Sequence, residues 1–266
     1  MKSQPFRFEV TSLSDAGKLR PLNEDGVVVD RDAGFAVLAD GMGGYRAGEV
    51  AARLALESLA GNLRRRDSSL PSRQSIEDSI AAANTAVHTA AAKQTVRTGM
   101  GATLAMAVFG DARVMLAHVG DSRIYRLRDG KLELLTRDDS ILNDQVELGL
   151  IAADEVAESH NRRMVTQTLG MAAKIAPHVR EEDLREGDVY LLCSDGLNDL
   201  VGDRDIEVIV DTLKSNLPLT ASHLVQLAND NGGYDNVTVA LVRVLGNAAE
   251  AASRGWLARL FGRLVH

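Results

Sequence analysis

Aspartates stand at the borders of several apolar runs in this sequence. The runs "FAVLAD", "VMLAHVGD" and "VYLLCSD" end on Asp40, Asp121 and Asp195, and Asp235 comes just before "NVTVALV". An acid at the end of a buried strand lies at the rim of the core, where its carboxylate is partly desolvated. One such acid is ordinary turn chemistry. Several at one rim repel each other unless protons or cations neutralise them.

A further pair of acids, Glu24 and Asp25, stands at the entry to the apolar run "GVVVD". If folding gathers these acids with the four aspartates, the ligands are almost all oxygen. Oxygen ligands suit Mg²⁺ or Mn²⁺, and no His or Cys pair shows the spacing of a zinc site. Two such ions about 3.5–4 Å apart can activate a bridging water for in-line displacement at phosphorus. The sequence therefore indicates two-metal phosphoryl chemistry if the fold brings the acids together.

Three other phosphate chemistries fit poorly. A thiol phosphatase needs an arginine six positions after its cysteine, but Asp199 stands there relative to Cys193. A P-loop needs Gly-Lys-Ser/Thr, which the segment "GMGGYRAGE" lacks. The same segment matches a dinucleotide-binding glycine pattern only in part, because the third glycine is missing from its place.

Period-two and apolar patterns predict strands over 6–13, 26–30, 34–40, 101–109, 113–121, 122–130, 131–135, 176–184, 188–195 and 236–244. Helical spacing predicts helices over 47–63, 75–92, 203–215 and 219–230. Residues 137–170 show neither pattern clearly and are interpreted as an irregular insertion. The strands come in two batches, each with helices, and without regular βαβ alternation. This order favours sheets with helices packed outside them over a doubly wound parallel sheet.

The bulk composition is that of a globular chain. The 266 residues carry a net charge of −7, which argues against nucleic acid as a partner. A single cysteine excludes a disulfide framework and favours a reducing compartment. We find no signal-peptide pattern at the N-terminus and no apolar stretch of the about 18–20 residues that a membrane span needs. The expectation is a soluble, cytoplasmic protein, monomeric, with one domain over residues 1–246.

The last 20 residues, 247–266, differ in character from the rest. Helical spacing would put Trp256, Leu257, Leu260, Phe261, Leu264 and Val265 on one face and Arg254, Arg259 and Arg263 off it. A basic amphipathic helix of this kind can lie on a membrane surface or dock on a partner. Packing of the helix on its own domain is the simpler alternative.

Six motifs occur in order along the chain: "RPLNED" (20–25), "LADGMGGYRAGE" (38–49), "TGMGATL" (98–104), "HVGDSRIY" (118–125), "LLCSDGLND" (191–199) and "GGYDNVTV" (232–239). This set resembles the metal-dependent protein phosphatases of the 2C type, in particular small bacterial members. The resemblance implies an α+β fold, a four-layer α-β-β-α sandwich in which two antiparallel sheets pack face to face with helices outside each. It also makes residues about 137–170 the flap beside the active site, which influences substrate choice.

The resemblance also implies metal ligands, two Mn²⁺ or Mg²⁺ ions per chain and a weaker third. Asp40 matches the catalytic carboxylate that bridges both ions, and Gly41 matches a carbonyl ligand of the second ion. Asp195 and Asp235 match the other ligands of the first ion. Asp25 matches the acid that serves the second ion.

Four further positions carry implied roles. Glu24, beside Asp25, is a weaker candidate ligand, and Asp121 resembles a ligand of the third ion. Arg20 matches the catalytic guanidinium that binds the substrate phosphate. Asn236 matches a residue that orients the Asp235 loop or a metal-bound water.

The implied activity is hydrolysis of phosphoserine and phosphothreonine by direct attack of a metal-bridging hydroxide, without a phosphoenzyme. Phosphorylated proteins are the implied substrates, and a cognate bacterial Ser/Thr kinase is the implied counterpart. The flap reads Asp138-Asp139-Ser140 where relatives often have Asp-His-Ser, so the acid that protonates the leaving group is unassigned. His118 and His160 are the nearby candidates.

Two other classes of function stay open at this point. A phosphoprotein-binding pseudophosphatase would lack one or more metal acids, and none is missing here. A two-metal phosphodiesterase or nuclease would favour a basic face and histidine ligands, which the sequence does not show.

Overall fold

The computed structural model describes residues 7–44, 46–65, 69–93, 99–151 and 164–246. Its strands are β1 (Arg7–Asp15), β2 (Asp25–Asp30), β3 (Phe35–Met42), β4 (Gly101–Ala102), β5 (Leu104–Phe109), β6 (Arg113–Val119), β7 (Arg123–Arg128), β8 (Lys131–Leu134), β9 (His178–Asp183), β10 (Val189–Cys193) and β11 (Val237–Leu245). Its helices are α1 (Ala47–Arg65), α2 (Arg73–Ala92), α3 (Ile141–Glu147), α4 (Asp195–Asn198), α5 (Asp203–Leu213) and α6 (Leu217–Asp230).

The strands form two antiparallel sheets. The first sheet has the order β1-β11-β10-β7-β8. The second has the order β2-β3-β5-β6-β9, with the short β4 paired to β3. Every strand pairing within them is antiparallel. The predicted hairpin of residues 26–30 with 34–40 is confirmed as the β2–β3 pair.

Strand β3 shows why the sheets face each other. Its side chains alternate between two apolar clusters, because successive residues of a strand point to opposite faces. Ala36 and Leu38 lie in the cluster between the two sheets, whereas Val37 and Ala39 lie in the cluster beneath α1 and α2. A strand buried on both faces reads as a continuous apolar run, as "FAVLA" does.

Helices cover the outer face of each sheet. Small residues such as Ala51 and Ala55 of α1 let that helix approach the second sheet closely. Ile206 and Val210 of α5, with Leu224 of α6, pack on the first sheet. The result is the expected four-layer α-β-β-α sandwich, and the α+β prediction is confirmed. No helix among the described residues is both long enough and apolar enough to cross a membrane.

Three local predictions need correction. The strand predicted over 101–109 is interrupted at Thr103, whose Oγ1 bonds to the Asp40 amide and to Ser122 Oγ. Asp40 lies inside β3 and not at its end, because β4 extends the pairing to Met42. The strand predicted over 188–195 ends at Cys193, and Asp195 begins the short helix α4.

The described part of the predicted irregular insertion contains the helix α3. Helix α3 begins after Ser140, whose Oγ accepts a hydrogen bond from the amide of Asn143 as a helix cap. Residues 152–163 of the insertion, which include His160, lie outside the described residues, as does the predicted amphipathic tail 247–266.

Candidate metal centre at one end of the sandwich

The fold gathers the predicted acids at one end of the two sheets. Asp25 and Asp40 are direct partners in the β2–β3 pairing. Asp195 comes two residues after the end of β10, and Asp235 comes two residues before the start of β11, which is the antiparallel neighbour of β10. Asp121 comes two residues after the end of β6. Antiparallel neighbours place the end of one strand beside the start of the next, so residues far apart in sequence meet here.

A cavity of about 280 Å³ opens among these residues. Its lining includes nearly all the predicted site residues: Arg20, Glu24, Asp40, Gly41, Asp121, Asp195, Asp235 and Asn236, together with Met42, Gly43, Thr103 and Val165. Asp25 is not in the lining, but it pairs with Asp40 across β2 and β3, and its Oδ1 is buried. The structure therefore places the predicted metal and phosphate residues around one cavity, with Asp25 outside its lining as the strand partner of Asp40.

Burial makes negative charge costly in this cluster. Burial is the largest cause that raises the pKa of Asp25 and that of Asp121, each to about 6. Burial also raises the pKa of Asp40 and that of Asp195 well above the ordinary value, and neighbouring carboxylates raise both further. For Asp40 the neighbour with the largest effect is Asp25, and for Asp195 it is Asp121. These acids thus need either protons or cations.

Two carboxylate oxygens show that the cluster fits a cation. Glu24 Oε1 and Asp25 Oδ1 are buried, and neither has a hydrogen-bond partner among the described residues. A buried acceptor without a donor is costly, and a metal ion would satisfy both. Within the described part of the chain, no three Asp, Glu, His or Cys side chains converge on one point. Mg²⁺ commonly keeps several waters and binds through only one or two carboxylates, so such a set of acids can suit it.

Gly41 and Gly48 bring two backbone segments into close contact. A Cβ on Gly41 would lie 2.1 Å from the carbonyl oxygen of Gly48, and one on Gly48 would lie 2.5 Å from the Gly41 oxygen. The Gly48 Cβ would also lie 2.9 Å from Glu24 Oε1. Any side chain at either position would displace groups that line the cavity.

Hydroxyl groups hold two of the aspartates in place. Ser194 Oγ donates to Asp25 Oδ2 at 2.8 Å and accepts from the Thr238 amide at 2.9 Å. The amide of Asp40 donates to Thr103 Oγ1 at 3.0 Å. The sequence analysis missed the roles of Thr103 and Thr238. The available signal was a single hydroxyl residue inside each apolar run, "GATLAMAVF" and "NVTVALV".

Asn236 ties the Arg20 loop to β11. Its Nδ2 donates to the carbonyls of Ala16 and Leu22, both at 2.9 Å. Its Oδ1 accepts from the amide of Glu24 at 2.8 Å. The predicted role is to orient the Asp235 loop or a metal-bound water; these side-chain bonds instead fix the loop that carries Arg20 and Glu24.

Arg20 is the cation of the cavity. Its side chain is half-exposed, and its Nη2 lies 2.8 Å from Asp235 Oδ2. This bond is the main cause that raises the pKa of the Arg20 guanidinium. The guanidinium is thus held at the cavity by a charge-assisted hydrogen bond to Asp235, on a half-exposed side chain that can turn toward another anion.

His118 lies away from the cavity. Its ring is buried, and Nε2 bonds to the Arg137 carbonyl at 2.8 Å. Burial lowers the pKa of His118. His118 is absent from the cavity lining, so it is badly placed as an acid for the leaving group.

The comparison with protein families decides the assignment. The model of the family described as protein phosphatase 2C matches residues 21–227. The chain belongs to the protein phosphatase 2C family. The matched range includes most of the metal centre of this 2C chain, from Glu24 to Asp195.

Bacterial 2C proteins are similar to this chain in sequence. The serine/threonine protein phosphatase PstP of Mycobacterium tuberculosis is 38% identical over 236 residues, which is 87% of this chain and 44% of PstP. This chain thus spans less than half the length of PstP. Protein phosphatase PhpP of Streptococcus pneumoniae is 34% identical over 253 residues, 91% of this chain and 100% of PhpP.

Solved 2C structures share the fold. The crystal structure of the M. tuberculosis phosphatase PstP aligns with a TM-score of 0.84 and 34% identity, over 90% of this chain and 99% of that one. The catalytic domain of PstP in complex with two manganese ions aligns with a TM-score of 0.80 and 34% identity, over 91% of this chain and 100% of that one. Both alignments cover the four-layer sandwich described above.

Proposed function

We propose that this chain is a metal-dependent protein phosphatase that hydrolyses phosphoserine and phosphothreonine. The observation that carries the proposal is the cavity lined by four aspartates and one arginine. The buried, unpartnered carboxylate oxygens of Glu24 and Asp25 suit cations, and the arginine suits a phosphate. The family match and the names of the bacterial relatives support the same activity.

The proposed ligands of two Mn²⁺ or Mg²⁺ ions are the carboxylates of Asp40, Asp25, Asp195 and Asp235 with the carbonyl of Gly41. The manganese complex of the PstP catalytic domain supports two ions. When bound, such ions supply an activated water for attack on phosphorus and neutralise charge on the phosphate.

Asp121 and Glu24 are proposed as weaker ligands. Asp121 lines the same cavity as Asp195, and its charge raises the pKa of Asp195. We assign Asp121 to a third, more weakly held ion. Glu24 presents its buried Oε1 beside the Gly41–Gly48 contact, where it could serve the second ion directly or through water.

Arg20 has the role of binding the substrate phosphate. A guanidinium presents parallel N–H donors that match two phosphate oxygens. Its present partner is Asp235, a proposed metal ligand, so cation binding would release the guanidinium toward the substrate. Asn236 supports this role by holding the backbone on both sides of Arg20.

The proposed substrates are phosphorylated proteins, and the proposed counterpart is a bacterial Ser/Thr kinase whose products this chain dephosphorylates. Bacterial relatives named as serine/threonine phosphatases support this class of substrate. We also propose a cytoplasmic, monomeric protein. A single buried cysteine, Cys193, is in keeping with a reducing compartment.

Hydrolysis of a phosphothreonine peptide tests the proposal. Purified protein should release phosphate with Mn²⁺ and lose this activity with excess EDTA. The Asp195→Ala variant should be inactive at the same Mn²⁺ concentration. Turnover that persists in EDTA, or no turnover by the pure wild-type protein with Mn²⁺, would overturn the proposed function.

A further inference from the structure

A second cavity, of about 480 Å³, lies apart from the metal centre. Five basic or imidazole side chains line it: Arg73, Arg137, Arg180, His118 and His178. None of its described lining residues is acidic. This is the reverse of the metal centre, and it occurs in a chain with a net charge of −7. A cleft lined by one sign of charge concentrates ligands of the opposite sign.

The acidic partners of the three arginines lie outside the cavity. The ion pairs are Arg73 with Glu77, Arg137 with Asp144 and Glu147, and Arg180 with Glu182. The distance from Arg73 Nη1 to Glu77 Oε1 is 3.7 Å, which is beyond hydrogen-bond range. Arg137 uses Nη2 for its carboxylates. The Arg73 and Arg137 pairs are exposed and weak, so an anion in the cavity can compete for these two guanidinium groups. Arg180 is held more firmly, because Nε and Nη2 donate to Glu182 and Nη1 donates to the Leu135 carbonyl.

The start of helix α2 adds to the positive potential. Arg73 is its first residue, Ser72 caps it, and its first turn contains no acid. The N-terminus of a helix carries partial positive charge, and a cation there is unfavourable without a compensating anion. A bound anion would offset the repulsion between the Arg73 guanidinium and the positive end of helix α2.

The two histidines form a fixed wall of the cavity. Their rings stack with centroids 4.7 Å apart. His118 Nε2 bonds to the Arg137 carbonyl, and His178 Nε2 bonds to Asp139 Oδ1 at 2.9 Å. The rings are therefore held in one orientation, which is the state that a preformed binding site needs.

We propose that this second cavity binds a phosphoryl group. Arginine guanidinium groups match phosphate oxygens in charge and geometry. The phosphoryl group is either free inorganic phosphate or a further phosphorylated residue of a protein. Binding of phosphate here is independent of the activity proposed for the metal centre.

A short path of hydrogen bonds joins the two cavities. Asp139, the partner of His178, also accepts from the amide of Gly120 through Oδ2 at 2.9 Å. Gly120 immediately precedes Asp121, which lines the metal centre. A ligand that contacts His178 is thus two hydrogen bonds away from the loop that carries Asp121.

Titration of the full chain with inorganic phosphate, followed by NMR of the histidine ring protons, tests the proposal. EDTA is present throughout, so that metal-bound phosphate does not contribute. The ring signals, assigned with His118→Gln and His178→Gln, should shift in a saturable way. Arg73→Gln should weaken the apparent affinity roughly tenfold, the size of one charge-assisted contact.

Arg53→Gln is the matched control. Arg53 forms an i,i+4 pair with Glu57 on α1, as Arg73 does with Glu77 on α2, and does not line this cavity. The phosphate affinity of the Arg53→Gln variant should equal that of the wild type. Arg137→Gln serves as the second cavity variant if Arg73→Gln fails to fold. No saturable shift, or a shift that both cavity variants leave unchanged, overturns the proposal.

A second measurement distinguishes the two sources of the phosphoryl group. With Mn²⁺, kcat/KM is compared for a singly and a doubly phosphorylated peptide. A preference for the doubly phosphorylated peptide that Arg73→Gln removes, and Arg53→Gln retains, supports a phosphorylated protein as the source. Saturable phosphate shifts without such a preference support free phosphate as the ligand.

Discussion

Arg20 and Asp235, which both line the cavity of the candidate metal centre, form an ion pair with 2.8 Å between Nη2 and Oδ2. In the proposed mechanism these two residues have different partners, because Arg20 binds the substrate phosphate and Asp235 binds a cation. The guanidinium and the metal ion therefore compete for one carboxylate. Removal of the guanidinium should therefore strengthen metal binding and weaken substrate binding, so the two effects of Arg20 can be measured separately.

Replacement of Arg20 by alanine should change these two properties in opposite directions. The KM for a phosphothreonine peptide should rise by about 10-fold or more, since a charge-assisted contact to phosphate is lost. The Mn²⁺ concentration for half-maximal activity should fall slightly, by about 2- to 5-fold, because an exposed ion pair of this kind is weak. A higher Mn²⁺ requirement in Arg20→Ala would contradict this competition.

Gly48→Ala tests the close contact with Gly41. A Cβ at position 48 would lie 2.5 Å from the Gly41 oxygen and 2.9 Å from Glu24 Oε1, so the cavity wall must shift. We expect a loss of about 1–3 kcal/mol in the free energy of unfolding, the usual cost of overpacking. We also expect a higher Mn²⁺ requirement. Urea unfolding and a Mn²⁺ titration of activity measure the two effects.

Gly61→Ala is the control for that substitution. Gly61 lies in the same helix, and its added Cβ would meet only the flexible end of Arg65, at 3.8 Å. Alanine should stabilise α1 here by about 0.4–1 kcal/mol and leave the Mn²⁺ requirement unchanged. Equal behaviour of the two alanine variants would show that the Gly41–Gly48 contact has no special role.

The buried ring of His118 should make stability depend on pH. Burial lowers its pKa in the folded state from the ordinary 6.5. At pH values between the lowered pKa of the folded state and 6.5, the unfolded chain binds more protons at this ring than the folded chain does. The free energy of unfolding therefore rises with pH in this range, and this stability is lost as the pH falls below about 6.5. His118→Gln can keep the bond to the Arg137 carbonyl but cannot titrate.

The measurement is thermal unfolding of the wild type and His118→Gln at pH 7.5 and 5.5, without phosphate. The wild-type midpoint should fall further than that of the variant. Titrations of the acidic residues are common to both proteins and cancel in the difference. The same fall in both proteins would show that His118 titrates normally.

Much of the fold could be predicted from the sequence because its strands carry strong local signals. The run "FAVLAD" is apolar on both faces, and it is a central strand buried between a helix layer and the other sheet. The predicted strands ended wrongly near Asp40 and Asp195. Pairing with β4 extends the first, and a helical turn begins at the second. Such boundaries depend on tertiary partners that are absent from the local pattern.

The acids of the site could be predicted from the sequence, whereas most of the groups that hold those acids in place could not. Acids beside apolar runs are a visible pattern, and the order of the motifs linked them to one family. The bonds from Ser194 to Asp25 and from the Asp40 amide to Thr103 join residues 169 and 63 positions apart. No local pattern encodes such a contact. The second cavity also escaped the sequence analysis, because its arginines come from three separate segments.

The Asp40→Asn variant addresses the central claim, that the buried acids at this end of the sandwich form a cation site. Asparagine keeps the shape of Asp40 but removes a charge that burial and the neighbouring Asp25 disfavour. An acid whose folded pKa is raised loses stability as the pH rises above its ordinary pKa, and asparagine does not. In EDTA at pH 7.5 the variant should therefore unfold at a higher temperature than the wild type. With Mn²⁺, its turnover should fall by about 10³-fold or more, since several kcal/mol of charge stabilisation depend on the cations.

The most direct single measurement is the unfolding temperature of the wild type and Asp40→Asn as Mn²⁺ is added. Ligand binding to the folded state raises this temperature with metal concentration. The account predicts a progressive rise for the wild type and little or no rise for Asp40→Asn, which starts higher in EDTA. An equal rise in both proteins, or no rise in the wild type, would contradict it.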